Sequence, residues 1–225
     1  MRVAAIETSG DWCSAALWTG GEVAALERRA PNRHSELALP MLERLLAAAG
    51  LSAAALDAVA FGAGPGSFTG LRIACGLAQG LALARELPVL GISSFEAIAE
   101  ESGAGRVVVC IDARMKEVYY AALERDERGR WREVVPAQCV SPDQAPPPPG
   151  EDWVGCGSGF AAYPDFLSRH VGLRVPQAHA SAAAVASLAG PRLAAGEGVD
   201  AALALPTYLR DKVAFTQREL QARSA

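Results

Sequence analysis

The sequence is poor in the residues that build metal centres, disulfides and membrane spans. It holds three histidines, His34, His170 and His179, and no two of them have the spacing of a zinc-binding pair on a helix. Its five cysteines are widely spaced without a C-x-x-C pair, which predicts reduced thiols. No run of about 18 apolar residues occurs, and no cleavage site for a secretory leader follows the first residues. We therefore expect a cytoplasmic protein with no metal, no disulfide and no membrane contact.

The sequence also lacks an excess of positive charge. The chain has a formal net charge of -4, so it has no overall attraction for nucleic acid or anionic membranes. The stretch from Pro206 onward is mildly basic and is typical of a solvated end. With 51% hydrophobic and 20% charged residues, the 225-residue chain has the composition of a globular protein with one or two domains.

Two common catalytic motifs are missing. No G-x-x-x-x-G-K-[ST] motif is present, which argues against a Walker-type NTPase. In the stretch GCGSG around Ser158, Cys156 occupies the position where a nucleophile elbow needs glycine, which argues against a serine hydrolase.

Apolar periodicity predicts an α/β protein that opens with strands. Short apolar runs at 2–6, 13–18 and 22–27 are typical of a β-meander. The segments that follow are predicted as a helix over 35–50 distorted by Pro40, a buried strand over 56–62, a second helix over 69–87 and a strand over 88–93. Strands that alternate with helices indicate a parallel component in the sheet.

The chain contains an internal echo. AIETSGDWCSAAL near the start and VCIDARMKEVYYAAL after Arg106 share an acidic residue at the end of an apolar strand, a polar turn and a return strand. This pattern predicts a duplicated fold with two related subdomains, 1–104 and 105–225. The second subdomain carries a proline-rich segment over 141–152, interpreted as a surface excursion, and an alanine-rich helix over 181–193.

The glycine-rich turn at 62–70 is typical of a phosphate-binding loop. Its backbone can come close to a ligand, and the helix that follows offers free N–H groups to an anion. In a duplicated nucleotide-binding fold, polar strand ends and glycine turns would converge on one cleft. The candidate cleft residues are Glu7, Thr8, Ser9, Gly64, Gly66, Ser67, Asp112, Gly155 and Gly157.

The helix over 69–87 is apolar almost all the way round, so more than one side of it must be covered. One interpretation is a central core helix of a monomer. The other is a helix that packs on the sheet with one side and on a second chain with another, which Gly76 and Gly80 would let approach closely. Together with the helix over 35–49, this predicts a homodimer when the protein is alone. The predicted contact residues are Leu37, Met41, Leu45, Leu71, Cys75, Gly76 and Gly80.

Five segments taken together closely resemble the TsaB (YeaZ) family, accessory proteins of bacterial tRNA threonylcarbamoyladenosine biosynthesis. The segments are AIETSGDWCSAAL, RHSELALPMLERLL, FGAGPGSFTGLRIACGLAQGLA, CIDARMKEVYYAAL and PTYLRDKVAF. The resemblance runs from Met1 to about Phe215 and is dense in the first 120 residues. It implies the fold of acetate and sugar kinases, actin and Hsp70, called the ASKHA fold.

The resemblance also implies a catalytic relative, TsaD, whose sequences carry a paired-histidine metal motif. At the corresponding place this chain reads GISSFEAIAE, with Ser94 and Ile98 at the two histidine positions. Neither side chain replaces imidazole as a metal ligand. The resemblance therefore implies a non-catalytic partner of a TsaD-type subunit, in a complex with a TsaE-type ATPase, which meets tRNA only through that complex and has no cofactor. The candidate cleft residues would form a vestigial nucleotide site, and the sequence leaves open whether a nucleotide binds there.

Two alternatives remain open at this stage. One is a small-molecule kinase-like ATPase of the same fold, with Asp112 as the base or the magnesium anchor. The other is a metal-dependent peptidase, against which the missing metal ligands speak.

We expect the isolated chain to hydrolyse neither ATP nor peptides above background, because it has no recognisable nucleophile–base pair, metal cluster or Walker lysine. Phosphate release and peptide cleavage by the purified protein test this. Robust ATP turnover that disappears in Asp112→Ala would support the kinase-like alternative instead.

Overall fold

The computed structural model describes residues 1–210. The chain forms ten strands in two five-stranded sheets within this part. The first sheet holds β1 (Arg2–Glu7), β2 (Trp12–Thr19), β3 (Glu22–Arg29), β4 (Ala58–Gly64) and β5 (Val89–Ser93). The second holds β6 (Arg106–Asp112), β7 (Val118–Arg125), β8 (Trp131–Val140), β9 (Val154–Cys156) and β10 (Leu173–Val175).

Both sheets have the same topology. The first has the order β3-β2-β1-β4-β5 and the second, read in the corresponding direction, β8-β7-β6-β9-β10. In each, three antiparallel strands form a meander, and two further strands run parallel to the first one. The predicted duplication is therefore confirmed, with β1 and β6 as equivalent central strands.

Six α-helices accompany the two sheets in residues 1–210. They are α1 (His34–Ala48), α2 (Phe68–Leu83), α3 (Ser94–Glu101), α4 (Gly159–Ala162), α5 (Pro164–Leu167) and α6 (Ala182–Ala194). α1 and α2 cover one face of the first sheet. α3 and α6 lie on its other face, in a core cluster that also includes residues of the second sheet. No helix in this part of the chain is both long and apolar enough to cross a bilayer.

The chain segment after the second sheet returns to the first. α6 packs on the first sheet, where Ser14 Oγ accepts a hydrogen bond from Ala182 N at 2.9 Å and the α-carbon of Gly190 lies against the Trp18 indole. Residues 201–210, here called the C-terminal strap, then lie beside α2. The predicted subdomain boundary after residue 104 falls between α3 and β6, whereas α6 and the strap contact the N-terminal part of the fold.

The end of α2 and the strand β8 differ from the sequence prediction. α2 ends at Leu83 and not at residue 87, because Leu87 N bonds to Ala82 O around Glu86, which has a left-handed φ of 53°. β8 was not predicted, since its charged residues and Pro136 are unusual in a strand; it is an edge strand, where proline is tolerated.

The proline-rich segment 141–152 is more than a surface excursion. It forms no strand, but it buries Pro142, Ala145 and Pro148. Tyr120 Oη donates a hydrogen bond to Pro146 O at 2.7 Å, and Trp153 Nε1 donates one to Pro149 O at 3.0 Å. The segment therefore covers the outer face of the second sheet, a role that its polar and stiff composition hides.

We expect Gly190→Ala to lower the free energy of unfolding by about 1–3 kcal/mol, because the added methyl group would overlap the Trp18 ring. Chemical denaturation measures the change. A Trp18→Leu background should reduce the cost, since it removes the ring. Equal costs in both backgrounds would show that the packing of α6 on Trp18 is not the cause.

Candidate functional site

Glu7 ends β1 inside the protein. Its side chain is buried, and Ser9 N donates a hydrogen bond to Glu7 Oε1, whereas Glu7 Oε2 has no partner among the described residues. Burial raises the pKa of Glu7 to about 7, against the weaker opposing effect of the hydrogen bond from Ser9. A β-carbon at Gly62 would overlap Glu7 Oε2, so the carboxyl group fits only because residue 62 is glycine.

Thr8 and Ser9 bind the glycine turn directly to the end of β1. Thr8 Oγ1 donates a hydrogen bond to Gly70 O at 2.8 Å, and Ser67 N donates one to Ser9 O at 2.7 Å. A β-carbon at Gly66 would lie 2.5 Å from Ser9 O, and one at Gly70 would overlap Thr8 O. The glycines of the turn therefore allow its backbone to pack directly against the backbone at the end of β1, whether or not a ligand binds there.

The turn also positions the start of α2. Ser67 is the N-cap residue, and its Oγ accepts a hydrogen bond from Gly70 N at 3.3 Å. Gly64 has a left-handed φ of 111°, and a β-carbon there would lie 2.7 Å from Thr207 O in the strap. Thr207 N in turn donates to Ala63 O at 2.7 Å. The strap therefore lies against the glycine turn. One crevice between them, bordered also by Phe68 and Tyr119, has a volume of about 10 Å³, room for at most one water molecule.

The second group of predicted cleft residues lies at the end of β6. Asp112 Oδ1 accepts a hydrogen bond from Arg114 N at 2.8 Å, and Ser158 Oγ accepts one from Asp112 N at 3.0 Å. Gly157 has a left-handed φ of 104° and packs against Cys110 O, while Gly155 packs against the Phe160 ring. Among the described residues no hydrogen bond joins this group to the Glu7 group. The vestigial nucleotide cleft stays a prediction.

Ser94 and Ile98, which the resemblance places at the two histidine positions of the catalytic relative, are both buried. Ser94 is fully buried and its Oγ donates to Ser9 Oγ at 3.3 Å, and Ile98 belongs to the core beneath α3. Over residues 1–210 no three His, Cys, Asp or Glu side chains lie close enough together to hold a metal ion.

The predicted contact residues on α1 and α2 divide into two sets. Gly76 and Gly80 are exposed, with open space where a β-carbon would be, and Leu37 is half-buried. The other four form the support beneath the surface: Met41, Leu45, Leu71 and Cys75 are each less than 9% exposed. Helical spacing separates the sets, since the buried residues of α2 recur on the side opposite Gly76 and Gly80.

The outer face of α2 is defined here by Arg72, Gly76, Gly80 and Leu83, which are exposed at spacings of three or four residues. Leu83 is 69% exposed. Ile73 and Leu77, both half-buried, border this face. The two glycines make a shallow groove between larger side chains, a shape that allows a second helix to approach closely.

The strap adds apolar residues that the sequence reasoning missed. Gln79 Nε2 donates to Ala204 O at 3.0 Å and Arg72 Nε donates to Tyr208 Oη at 3.2 Å, so the strap runs alongside α2. Leu203 is 70% exposed and Leu205 is 69% exposed. In the sequence, only the alternating leucines of ALALP indicate that this segment carries apolar side chains on one side. They place further apolar surface next to the outer face of α2.

Comparison with known proteins agrees with the duplicated architecture. The family model described as TsaD, tRNA N6-adenosine threonylcarbamoyltransferase, matches residues 27–217. A tRNA threonylcarbamoyladenosine biosynthesis protein TsaB from Escherichia coli is 39% identical, with 96% of this chain and 97% of the relative covered. The TsaB protein of Haemophilus influenzae is 39% identical over 76% of this chain and 78% of its own length.

A solved structure agrees as well. YeaZ from Pseudomonas aeruginosa superposes with a TM-score of 0.87 at 38% identity, covering 92% of this chain and 99% of YeaZ. A second structure from the same organism, described as an uncharacterized protein with similarity to peptidase YEAZ, matches with the same TM-score of 0.87. The fold is the duplicated α/β ASKHA fold that the resemblance implied.

Because Glu7 is buried with a raised pKa, we expect stability to fall as the pH rises. The folded state keeps the proton up to about pH 7, whereas the unfolded chain loses it near the ordinary value of 4.5. The stabilisation is thus complete below pH 4.5 and is lost as the pH rises to 7, on the order of 2–3 kcal/mol. Glu7→Gln should remove this slope, and Glu127→Gln, an exposed control, should retain it. Denaturation midpoints measured between pH 4.5 and 7 test this expectation. If the midpoints of wild type and Glu7→Gln change with pH in the same way, Glu7 is not the source of the pH dependence.

Proposed function

Because the chain belongs to the TsaB family of tRNA threonylcarbamoyladenosine biosynthesis proteins, we propose that it is a non-catalytic partner that binds and stabilises a TsaD-type catalytic subunit. Its role in this biosynthetic process follows from the family. The partner role is the further step: the catalytic subunit would transfer a threonylcarbamoyl group to N6 of adenosine 37 in ANN-decoding tRNAs. We place this complex in the cytoplasm, with a TsaE-type ATPase as a further member and tRNA held by the complex as a whole.

The observation that carries this proposal is the outer face of α2. Its inner side is buried on the sheet, yet Gly76 and Gly80 stay exposed and open, and Leu83 is 69% exposed. Glycine in a helix interior costs roughly 1 kcal/mol relative to alanine, and no contact within residues 1–210 requires it at these two positions. A neighbour that packs closely over the groove supplies a reason for both residues.

The flanking residues extend this surface. The exposed leucines Leu203 and Leu205 lie on the strap at one side of α2, and α1 lies at the other. A four-helix contact between this pair and an equivalent helix pair would have to bury roughly 1,200–2,000 Å² to be specific. The same surface would serve a homodimer when the catalytic subunit is absent, so the two associations should compete.

The non-catalytic part of the proposal is supported by residue types. Ser94 and Ile98 occupy the metal-ligand positions that the resemblance assigns, and Ser94 is committed to Ser9. The glycines at both strand ends are packed against protein atoms such as Thr8 O and Cys110 O. These contacts give the glycines a role in packing the fold, which is consistent with a protein that acts by binding a partner.

We expect Gly76→Lys and Gly80→Lys to weaken binding to the TsaD-type subunit by at least about tenfold, because each places a charged chain in the groove. Both should also shift the isolated protein from dimer to monomer in native mass spectrometry. Adding the catalytic subunit to the wild-type protein should convert homodimer into mixed complex, and cells that carry the variants should lose the tRNA modification.

Gly105→Lys is the matched control, since Gly105 is also exposed with open space around it but lies between α3 and β6. It should leave both associations unchanged. A glycine variant that loses self-association yet supports modification at the wild-type level would show that different surfaces serve the two contacts. A wild-type monomer at micromolar concentration would contradict the homodimer.

A further inference from the structure

A cavity of about 300 Å³ lies away from the outer face of α2, at the junction of the two sheets. The glycine turn and the start of α3 form one wall, β8 and α6 form another, and the strap borders it with Thr207 and Leu209. Its volume is at the lower end of the range of small-ligand pockets. Five separate segments of the chain thus border a space that lies outside the proposed partner contact.

The charged groups of the cavity are two glutamates, Glu96 and Glu133, and one arginine, Arg192. Arg192 Nη1 lies 3.3 Å from Glu96 Oε2, and Arg192 Nε lies 2.9 Å from Glu197 Oε2. Arg130 also pairs with Glu197. The two positive charges of Arg192 and Arg130 are therefore balanced by the negative charges of Glu96 and Glu197. Glu133, the other acid in the cavity wall, has no ion-pair partner among residues 1–210, so one negative charge is in excess.

The environment of Glu96 agrees with this imbalance. Burial raises the pKa of Glu96 and Glu133 raises it further by like-charge repulsion, whereas Arg192 lowers it. Glu133 Oε2 accepts a hydrogen bond from Ala137 N at 3.0 Å, which fixes its carboxylate beside the cavity. A cation bound between the two carboxylates would neutralise the excess charge without displacing Arg192.

Most of the other side chains around the cavity are apolar, and Ser93 and Thr207 are the two uncharged polar ones. Ala63, Pro65, Phe95, Ala137 and Leu209 line the cavity around the charged groups. A bare metal ion would leave this apolar surface in contact with water, whereas an alkyl chain would bury it. The combination of excess negative charge and apolar walls matches a cation on an aliphatic stem.

We propose that this cavity binds an alkylammonium or alkylguanidinium group, with the cationic head between Glu96 and Glu133 and the stem against Phe95 and Leu209. Lysine and arginine side chains have this chemistry, and so do free amines. The site is distinct from the outer face of α2, and the proposal does not depend on the partner role.

The test is an NMR titration of the full, ¹⁵N-labelled chain with n-butylguanidinium chloride and n-butylammonium chloride at matched ionic strength. Both cations should shift the amide signals of Phe95, Glu96 and Ala137. n-Butanol and sodium butyrate, which keep the stem but lack the cation, should bind at least about tenfold more weakly. Equal shifts with butanol, or no shifts at these residues, would overturn the proposal.

Glu133→Gln removes the excess charge from an exposed position, and its amide oxygen still accepts the hydrogen bond from Ala137. Cation affinity should fall about tenfold in this variant and stay unchanged in Glu127→Gln, an exposed glutamate in the β7–β8 turn. Equal affinity of Glu133→Gln and wild type would contradict the site. Because the titration involves no partner protein, its outcome is independent of the proposed function.

The source of the cation is decided by a second measurement. If saturating n-butylguanidinium weakens the complex with the TsaD-type subunit, a basic side chain of that subunit occupies the cavity. If the complex is unaffected while spermidine binds with the same dependence on Glu133, the occupant is a free amine. Both results support the cation site, and failure of spermidine in the second case would contradict a free polyamine as its occupant.

Discussion

The close approach of glycine backbone to the end of the first strand of each sheet is the constraint on which the rest of the molecule depends. At β1 the glycine turn lies against Glu7, Thr8 and Ser9, and at β6 Gly157 and Gly159 lie against Cys110. In the first sheet this contact fixes the start of α2, whose inner side is then buried and whose outer face is presented to solvent. In both sheets the glycines let one stretch of backbone pack directly against another.

α2 shows how one helix can satisfy both interpretations of its sequence. Its apolar residues are covered by the first sheet and by α1, while Ala204 in the strap accepts hydrogen bonds from Cys75 and Gln79 at its flank. What remains exposed is the outer face with Arg72, Gly76, Gly80 and Leu83. The helix is therefore a core element of the single chain, and this face is the part that the proposed partner would cover.

Much of this fold could be predicted from the sequence because its determinants are local. The strands of the first sheet, α1 and α6 follow from apolar spacing, and the repeated acid–turn–strand pattern anticipated the equivalent sheets. β8 could not be found this way, because its edge position leaves Arg132 and Glu133 in solvent and weakens the alternation. The end of α2 depends on the left-handed Glu86, a conformation usually signalled by glycine. The burial of Met41 and Leu71 depends on tertiary packing. A helical pattern shows that a helix has an apolar side, but it does not show whether that side faces the protein's own sheet or a second chain.

The strap and α6 have a consequence for the order in which the protein can be made. Thr207 bonds to Ala63, Arg210 pairs with Glu117, and α6 covers the face of the first sheet that carries Ser14. During synthesis that face stays open until residues 182–194 leave the ribosome, and the glycine turn stays uncovered until the strap follows. The first sheet, although complete by Ser93, thus reaches its final packing only when nearly the whole chain has been translated. An N-terminal fragment that ends between the two sheets is not a self-contained folding unit.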